Sequence, residues 1–263
     1  MNRIDQLFNT KQERILSVYT TAGYPRLDDT VDVIRALQNS GADMIELGMP
    51  FSDPLADGEV IQQSSHLALE NGMTIRYLFD QITGIRSEIH IPLVLMGYLN
   101  PVLQFGFETF VKKCVETGID GMIIPDLPLD VYNKEYRNIV EKSGLKFIML
   151  ITPRTPEPRI LQIAEASGGF LYMVADSSTT GARQELKQAQ LEYFKRIKAM
   201  VPGLPRLIGF GISSAETFSR ASEFAHGAII GSAFIRQLGN NNDIPIEVKV
   251  KEFVESILNQ PSD

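Results

Sequence analysis

Short apolar runs alternate with longer stretches of helical periodicity along nearly the whole chain. The runs at 16–21, 44–48, 93–98, 121–125, 147–151, 170–175, 206–210 and 227–230 have the length and composition of buried strands. Between them, 28–39, 107–117, 132–142, 157–166, 191–200 and 215–223 carry apolar residues at three- and four-residue spacing, the pattern of helices with one buried face. Asp28-Asp29 and Ser213-Ser214 read as helix starts, and Gly41, Gly118, Gly144, Gly168, Gly203 and Gly227 as helix stops. Extra helices are expected at 3–11, 74–86 and 248–258, and GNNND at 239–243 reads as a solvated loop. Strand–helix alternation implies parallel strands joined by crossover helices. Eight such units predict an α/β fold of the closed (β/α)8, or TIM-barrel, type, with an open doubly wound sheet as the competitor. No repeat, low-complexity tract or linker divides the chain, so residues 1–263 are expected to form a single domain.

Composition narrows the classes of function. A formal charge of −7 argues against nucleic acid as a partner, because phosphate backbones require a basic face. Neither a signal peptide nor an apolar run of membrane-spanning length is evident, so a cytoplasmic protein with no membrane partner is expected. The one cysteine, Cys114, falls in a helical pattern and reads as packing, and Lys112-Lys113 as a solvated helix face.

In barrels of this kind the chemistry gathers at the C-terminal ends of the strands. The second strand reads MIELGMP, and Glu46 interrupts its apolar run. Side-chain alternation sends Ile45 and Leu47 toward the helices and Glu46 into the barrel. Burial raises the pKa of a carboxyl group toward neutrality, which suits a general acid. An interior ion pair or a tolerated polar layer is the other reading. The segment PFSDPLADGEVIQ, 50–62, follows as a stiff acidic connection rather than a helix. Within it Asp57 either turns back over the barrel mouth toward Glu46 or serves as a loop or helix-cap aspartate.

Three glycine-bearing turns lie late in the chain: Thr179-Thr180-Gly181, GFGIS at 209–213, and Gly231-Ser232-Ala233. Two of them follow the seventh and eighth strands, where backbone N–H groups and a helix N-terminus can hold phosphate, although tight turns use glycine regardless. No lysine stands at the C-terminal end of a strand, since Lys146 opens the fifth, which argues against Schiff-base chemistry. His66, His90 and His226 are scattered, so no metal site is expected.

ELGMPFSDPLADG at 46–58 closely resembles the signature of tryptophan synthase α subunits. The resemblance spans essentially the whole chain, through TAGYP at 21–25, LMGYLNP at 95–101, IIPDLP at 123–128 and Gly231-Ser232. It implies a lyase that cleaves indole-3-glycerol phosphate to indole and D-glyceraldehyde 3-phosphate. It further implies that Glu46 and Asp57 are the catalytic carboxylates and Tyr172 an active-site tyrosine. Tyr19, Met96, Tyr98, Phe210 and Ile229 would line the indole pocket, and Gly181, Gly211, Gly231 and Ser232 would hold the phosphate. The resemblance also implies an α2β2 complex with a β subunit that carries pyridoxal phosphate, so that no cofactor is expected in this chain. Asp53, Asp126 and Thr180 fall on the implied partner face and sixth loop, with Phe51, Leu55 and Leu127 as apolar elements that would equally suit an ordinary rigid loop. Two residues depart from the family pattern: Ser178 stands where many members have glycine, and Glu59 where proline is frequent, which predicts a less stiff second loop. A stand-alone lyase, another phosphate-binding barrel such as a sugar-phosphate isomerase, and a non-enzymatic activating subunit are the competing readings.

Overall fold

The computed structural model describes residues 1–55, 57–175, 188–209, 211–240 and 243–259. Nine strands form one wholly parallel sheet in the order β5-β4-β3-β2-β1-β9-β8-β7-β6. They are β1 (Ile15–Thr21), β2 (Met44–Gly48), β3 (Leu93–Met96), β4 (Gly121–Ile123), β5 (Lys146–Phe147), β6 (Met149–Ile151), β7 (Leu171–Val174), β8 (Arg206–Gly209) and β9 (Gly227–Ile230). The two ends of this order, β5 and β6, are separated in sequence by Ile148 only, so the chain itself closes the ring. They are the predicted fifth strand in two pieces: β5 pairs with β4, and β6 pairs with β7. The barrel is therefore the expected eightfold one, with its seam at Ile148.

Helices follow the strands around the outside: α2 (Thr30–Ser40), α3 (Glu59–Glu70), α4 (Ile75–Ile82), α5 (Leu99–Phe105), α6 (Phe107–Glu116), α8 (Glu157–Ala166), α9 (Gln188–Met200), α10 (Ala215–Ser222), α11 (Ser232–Gly239) and α12 (Ile246–Leu258). After β4, Leu129–Val131, a π-helical turn Tyr132–Tyr136 and Arg137–Ser143 make one continuous helical segment, α7. The helix expected over 74–86 instead ends at Ile82 and is followed by a separate 3-10 turn, Ile85–Ser87. The connection at 50–62 is helical from Glu59 onward, which corrects the reading of it as wholly irregular. Residues 50–58 supply the turns, and helical spacing begins once they are past.

Alternation along the strands builds two apolar layers. Leu16, Val18, Ile45, Leu47, Leu93 and Leu95 pack outward against the helices. Ile15, Tyr19, Met44, Val94, Ile123, Ile148, Tyr172, Leu207 and Ile229 fill the interior. The helix α1 (Arg3–Thr10) plugs the N-terminal end of the barrel with Ile4 and Phe8, the latter ring lying 5.8 Å from Phe170. Asn2 caps α1 through Ile4 N and also donates to the carbonyls of Asp120 and Gly144, at 2.8 and 3.0 Å. With that end sealed, access is confined to the opposite rim.

The glycines expected to stop helices divide by conformation. Gly41, Gly118 and Gly144 take positive φ, as a left-handed cap requires. Gly227 instead opens β9, where a Cβ would overlap the backbone of Ile15 on the neighbouring strand, so its role is close strand approach and not helix termination. At the 168–169 turn it is Gly169, not Gly168, that adopts positive φ, and Gly203 does not adopt it either.

Candidate active site

The inner face of β1 carries Ser17, Tyr19 and Thr21 in alternation, and that of β2 carries Met44, Glu46 and Gly48, with Tyr19 registered on Glu46. Glu46 is fully buried. Its Oε1 accepts a hydrogen bond from Ser17 Oγ at 3.1 Å, while its Oε2 has no hydrogen-bond partner among the described residues. Burial raises the Glu46 pKa to about 8, the Ser17 bond pulling in the opposite sense. Among the described residues Glu46 has no cationic partner, which sets aside the interior ion pair and leaves the general acid and the tolerated polar layer.

Asp57 lies in the loop between β2 and α3, and its Oδ2 accepts from the Tyr98 hydroxyl at 2.9 Å. Burial again comes first and raises its pKa to about 6, against the Tyr98 bond. The loop is tied down by Gln62, whose amide donates to the carbonyls of Asp57 and Pro54 at 2.8 and 3.3 Å. Asp57 N also donates to Pro54 O at 3.0 Å. Glu59 is the first residue of α3, with Gly58 at its N-cap. An acidic side chain there favours the positive end of the helix, whereas proline would only preset φ.

Tyr19 and Tyr172 complete the cluster. Both are buried, and burial first, then the charges of both carboxylates, raise their hydroxyl pKa values. Both phenols consequently stay neutral. Two glycines make room for them: a Cβ on Gly48 would overlap the Tyr19 hydroxyl, and one on Gly209 would overlap that of Tyr172. Met96, Tyr98 and Ile229 are buried around the same interior, and Ile61 of α3 leans into it. Sequence reasoning did not single out Ile61 or Ser17. The signal for Ser17 was present as hydroxyl residues at 17, 19 and 21, one face of a strand.

On the rim, Gly231 is the N-cap of α11 and Ser232 its first residue. A Cβ on Gly231 would stand 3.4 Å from Tyr19 Cβ, so this turn adjoins the carboxylate cluster. The first N–H groups of a helix have no partner inside it and form an anion-binding end. Gly211, after β8, has φ +79 and open space where a Cβ would be. Phe210, Ser178, Thr180 and Gly181 lie outside the described residues.

Asp53 is exposed and accepts from Ser52 Oγ at 2.5 Å. Asp126 accepts from Leu99 N at 2.9 Å and so caps α5. Phe51 packs on Tyr98 with ring centroids 5.2 Å apart, and Leu55 is 89% exposed. Leu127, placed above with Phe51 and Leu55 among the apolar elements of the implied partner face, is buried at 7% and packs in the layer against the helices. Among the described residues no group of three or more His, Cys, Asp or Glu could hold a metal, and no helix is long and apolar enough to cross a membrane.

The family model described as Tryptophan synthase alpha chain matches residues 6–260. The tryptophan synthase alpha chain of Flavobacterium psychrophilum is 53% identical over 96% of this chain and 99% of its own length. That of Bacteroides thetaiotaomicron is 54% identical over 92% and 95%. Among solved structures, tryptophan synthase subunit alpha from Legionella pneumophila has a TM-score of 0.87 at 35% identity, covering 98% of this chain and 97% of that one. A chain of the tryptophan synthase complex from Pyrococcus furiosus has a TM-score of 0.85 at 33% identity, covering 94% and 99%. Matched along almost its entire length by relatives more than half identical to it, this chain belongs to the tryptophan synthase alpha chain family.

Proposed function

We propose that Glu46 and Asp57 divide the acid–base work of the α reaction, the cleavage of indole-3-glycerol phosphate to indole and D-glyceraldehyde 3-phosphate that defines this family of lyases. The observation that carries the assignment is the pairing of two carboxyl groups inside one barrel with pKa values held apart, about 8 for Glu46 and about 6 for Asp57. At neutral pH Glu46 is mostly protonated and Asp57 mostly ionised. Indole is a poor leaving group until its C3 is protonated, and Glu46 delivers that proton. Asp57 stabilises the positive charge that then develops toward the ring N–H. As the C3–glycerol bond breaks, its electron pair returns to the ring, and the adjacent hydroxyl becomes the aldehyde and gives its proton to Glu46. One proton enters and one leaves, so the acid is restored. Tyr19, Met96, Tyr98, Tyr172 and Ile229 form the apolar and phenolic walls around the ring, and the turns at Gly211 and Gly231-Ser232 hold the phosphate. Residues 1–263 act as one barrel domain in this reading.

The same reading pairs the chain with a tryptophan synthase β subunit as an α2β2 assembly, the pyridoxal phosphate belonging to that partner. Support comes from the Pyrococcus furiosus complex among the structural relatives and from the exposed Leu55 beside Asp53 at the barrel mouth. Indole release from indole-3-glycerol phosphate, measured with and without a cognate β subunit, tests both parts. Slow release that rises strongly with the β subunit is expected. Fast release without it would select a stand-alone lyase, and no release in either condition would remove the assignment.

A further inference from the structure

We propose that Ser17 is a positioning residue for this reaction: its hydroxyl fixes one oxygen of Glu46 so that the other is presented bare to the substrate. The inference rests on the reading of Glu46 as the proton donor.

Ser17 is fully buried on the inner face of β1, in register with Met44 and one inward position from Tyr19. Among the described residues its hydroxyl is the hydrogen-bond donor to Glu46, reaching Oε1 at 3.1 Å. A neutral carboxyl group has one carbonyl oxygen and one hydroxyl, and a donor on Oε1 makes that the carbonyl oxygen. The proton is thereby assigned to Oε2, the oxygen without a hydrogen-bond partner among the described residues. A buried polar atom is seldom left unpaired, and an unpaired one in a site calls for a ligand group. Here the bare oxygen carries the hydrogen that the reaction transfers. After transfer the same Ser17 bond stabilises the carboxylate until it recovers a proton.

Among the described residues no other side chain hydrogen-bonds to Glu46. The titratable groups around Glu46 are Tyr19 from β1, Tyr172 from β7 and Asp57 from the loop before α3, with Tyr98 beyond Asp57. Thr21, the next inward position on β1, is itself paired, its Oγ1 lying 2.7 Å from Ser64 Oγ. An apolar residue at 17 would leave both oxygens of Glu46 bare, free to rotate, with the proton on either.

The test uses the purified full-length chain with Ser17→Ala, Ser17→Thr and Glu46→Gln. Carboxyl-carbon NMR follows the titration of Glu46, its signal identified by loss in Glu46→Gln, and kcat/KM for indole release is measured across pH. In Ser17→Ala the Glu46 midpoint should rise by about one unit, a tenfold change in proton affinity. The alkaline limb of kcat/KM should move up with it while the acid limb stays. Meanwhile kcat should fall on the order of tenfold, within the range of acid–base contributions, with KM little changed. Ser17→Thr, which keeps the hydroxyl, should restore both. Should Ser17→Ala fail to unfold cooperatively, Ser17→Cys, with a weaker donor of similar size, makes the same comparison. An unmoved titration and alkaline limb with parental kcat would overturn the proposal even if Glu46→Gln is inactive. Normal turnover in Glu46→Gln would instead overturn the reading on which it rests.

Discussion

Replacing Tyr98 by phenylalanine removes a single oxygen from the site, and the structure sets the size of the consequence. The hydroxyl donates to Asp57 Oδ2 at 2.9 Å and opposes the effect of burial, which has brought that carboxyl to about pKa 6. A hydrogen bond to a charged acceptor contributes about 1.5–3 kcal/mol, and the partly open position of Asp57 selects the lower end. At 1.36 kcal/mol per unit, its loss lifts the Asp57 pKa from about 6 to roughly 7. Because Asp57 acts ionised, its ionised fraction at pH 6 falls from about one half to about one tenth, a roughly fivefold loss of kcat/KM. At pH 7.5 the loss is no more than about 1.5-fold by the same arithmetic. The assay is kcat/KM for indole release between pH 5 and 9, which reports the free enzyme's titrations. The acid limb should move alkaline by about one unit while the limb set by Glu46 stays, so the profile narrows from one side only. A loss uniform across pH, or an acid limb that stays or moves acid, would refute the reasoning and return Tyr98 to a packing role.

Three other outcomes follow from the same structure. Glu46→Gln and Asp57→Asn should each reduce indole release on the order of 10²-fold or more, with cooperative unfolding and inorganic phosphate binding retained. Glu46 is neutral in the fold up to about pH 8 and ionises near 4.5 when unfolded, so its contribution is present below the unfolded value and is lost as pH rises through the folded one. Urea unfolding should therefore show Glu46→Gln gaining on the parent between pH 5 and 8, and a parallel pair of stability curves would contradict the buried titration. Phe8→Ala, which opens the plug at the sealed end, should cost about 3–5 kcal/mol in urea unfolding while kcat under native conditions stays near the parent's. A cost under about 1 kcal/mol would mean that α1 is not part of the packed interior.

The barrel was legible in the sequence because its strands are short, buried and separated by helical periods, and period-two alternation alone sent Ile45 and Leu47 outward and Glu46 inward. What escaped lies at the joints. The break at Ile148 arises where one segment changes partner from β4 to β7, and pairing partners are not encoded in local pattern. Gly227 carries the same residue type as the true caps, yet its requirement comes from Ile15 on another strand. The short helices α5 and α11 sit in loops whose turn residues dominate the local composition, and α3 begins directly behind the turns of 50–58. At the site, Glu46 was visible as a carboxylate in an apolar run, whereas the Tyr98–Asp57 bond joins residues 41 positions apart and emerges only when the loop folds over the mouth. Leu127 is ambiguous in sequence, since an apolar residue between prolines reads equally well as exposed loop or as the buried anchor it proves to be.

The division of labour between the two carboxyl groups is tested most directly by product release from indole-3-glycerol phosphate by the purified parent chain, Glu46→Gln and Asp57→Asn, side by side at neutral pH. Indole and glyceraldehyde 3-phosphate should appear in equal amounts from the parent and fall by about 10²-fold or more in each folded variant. Turnover at the parental rate in either variant would contradict the assignment.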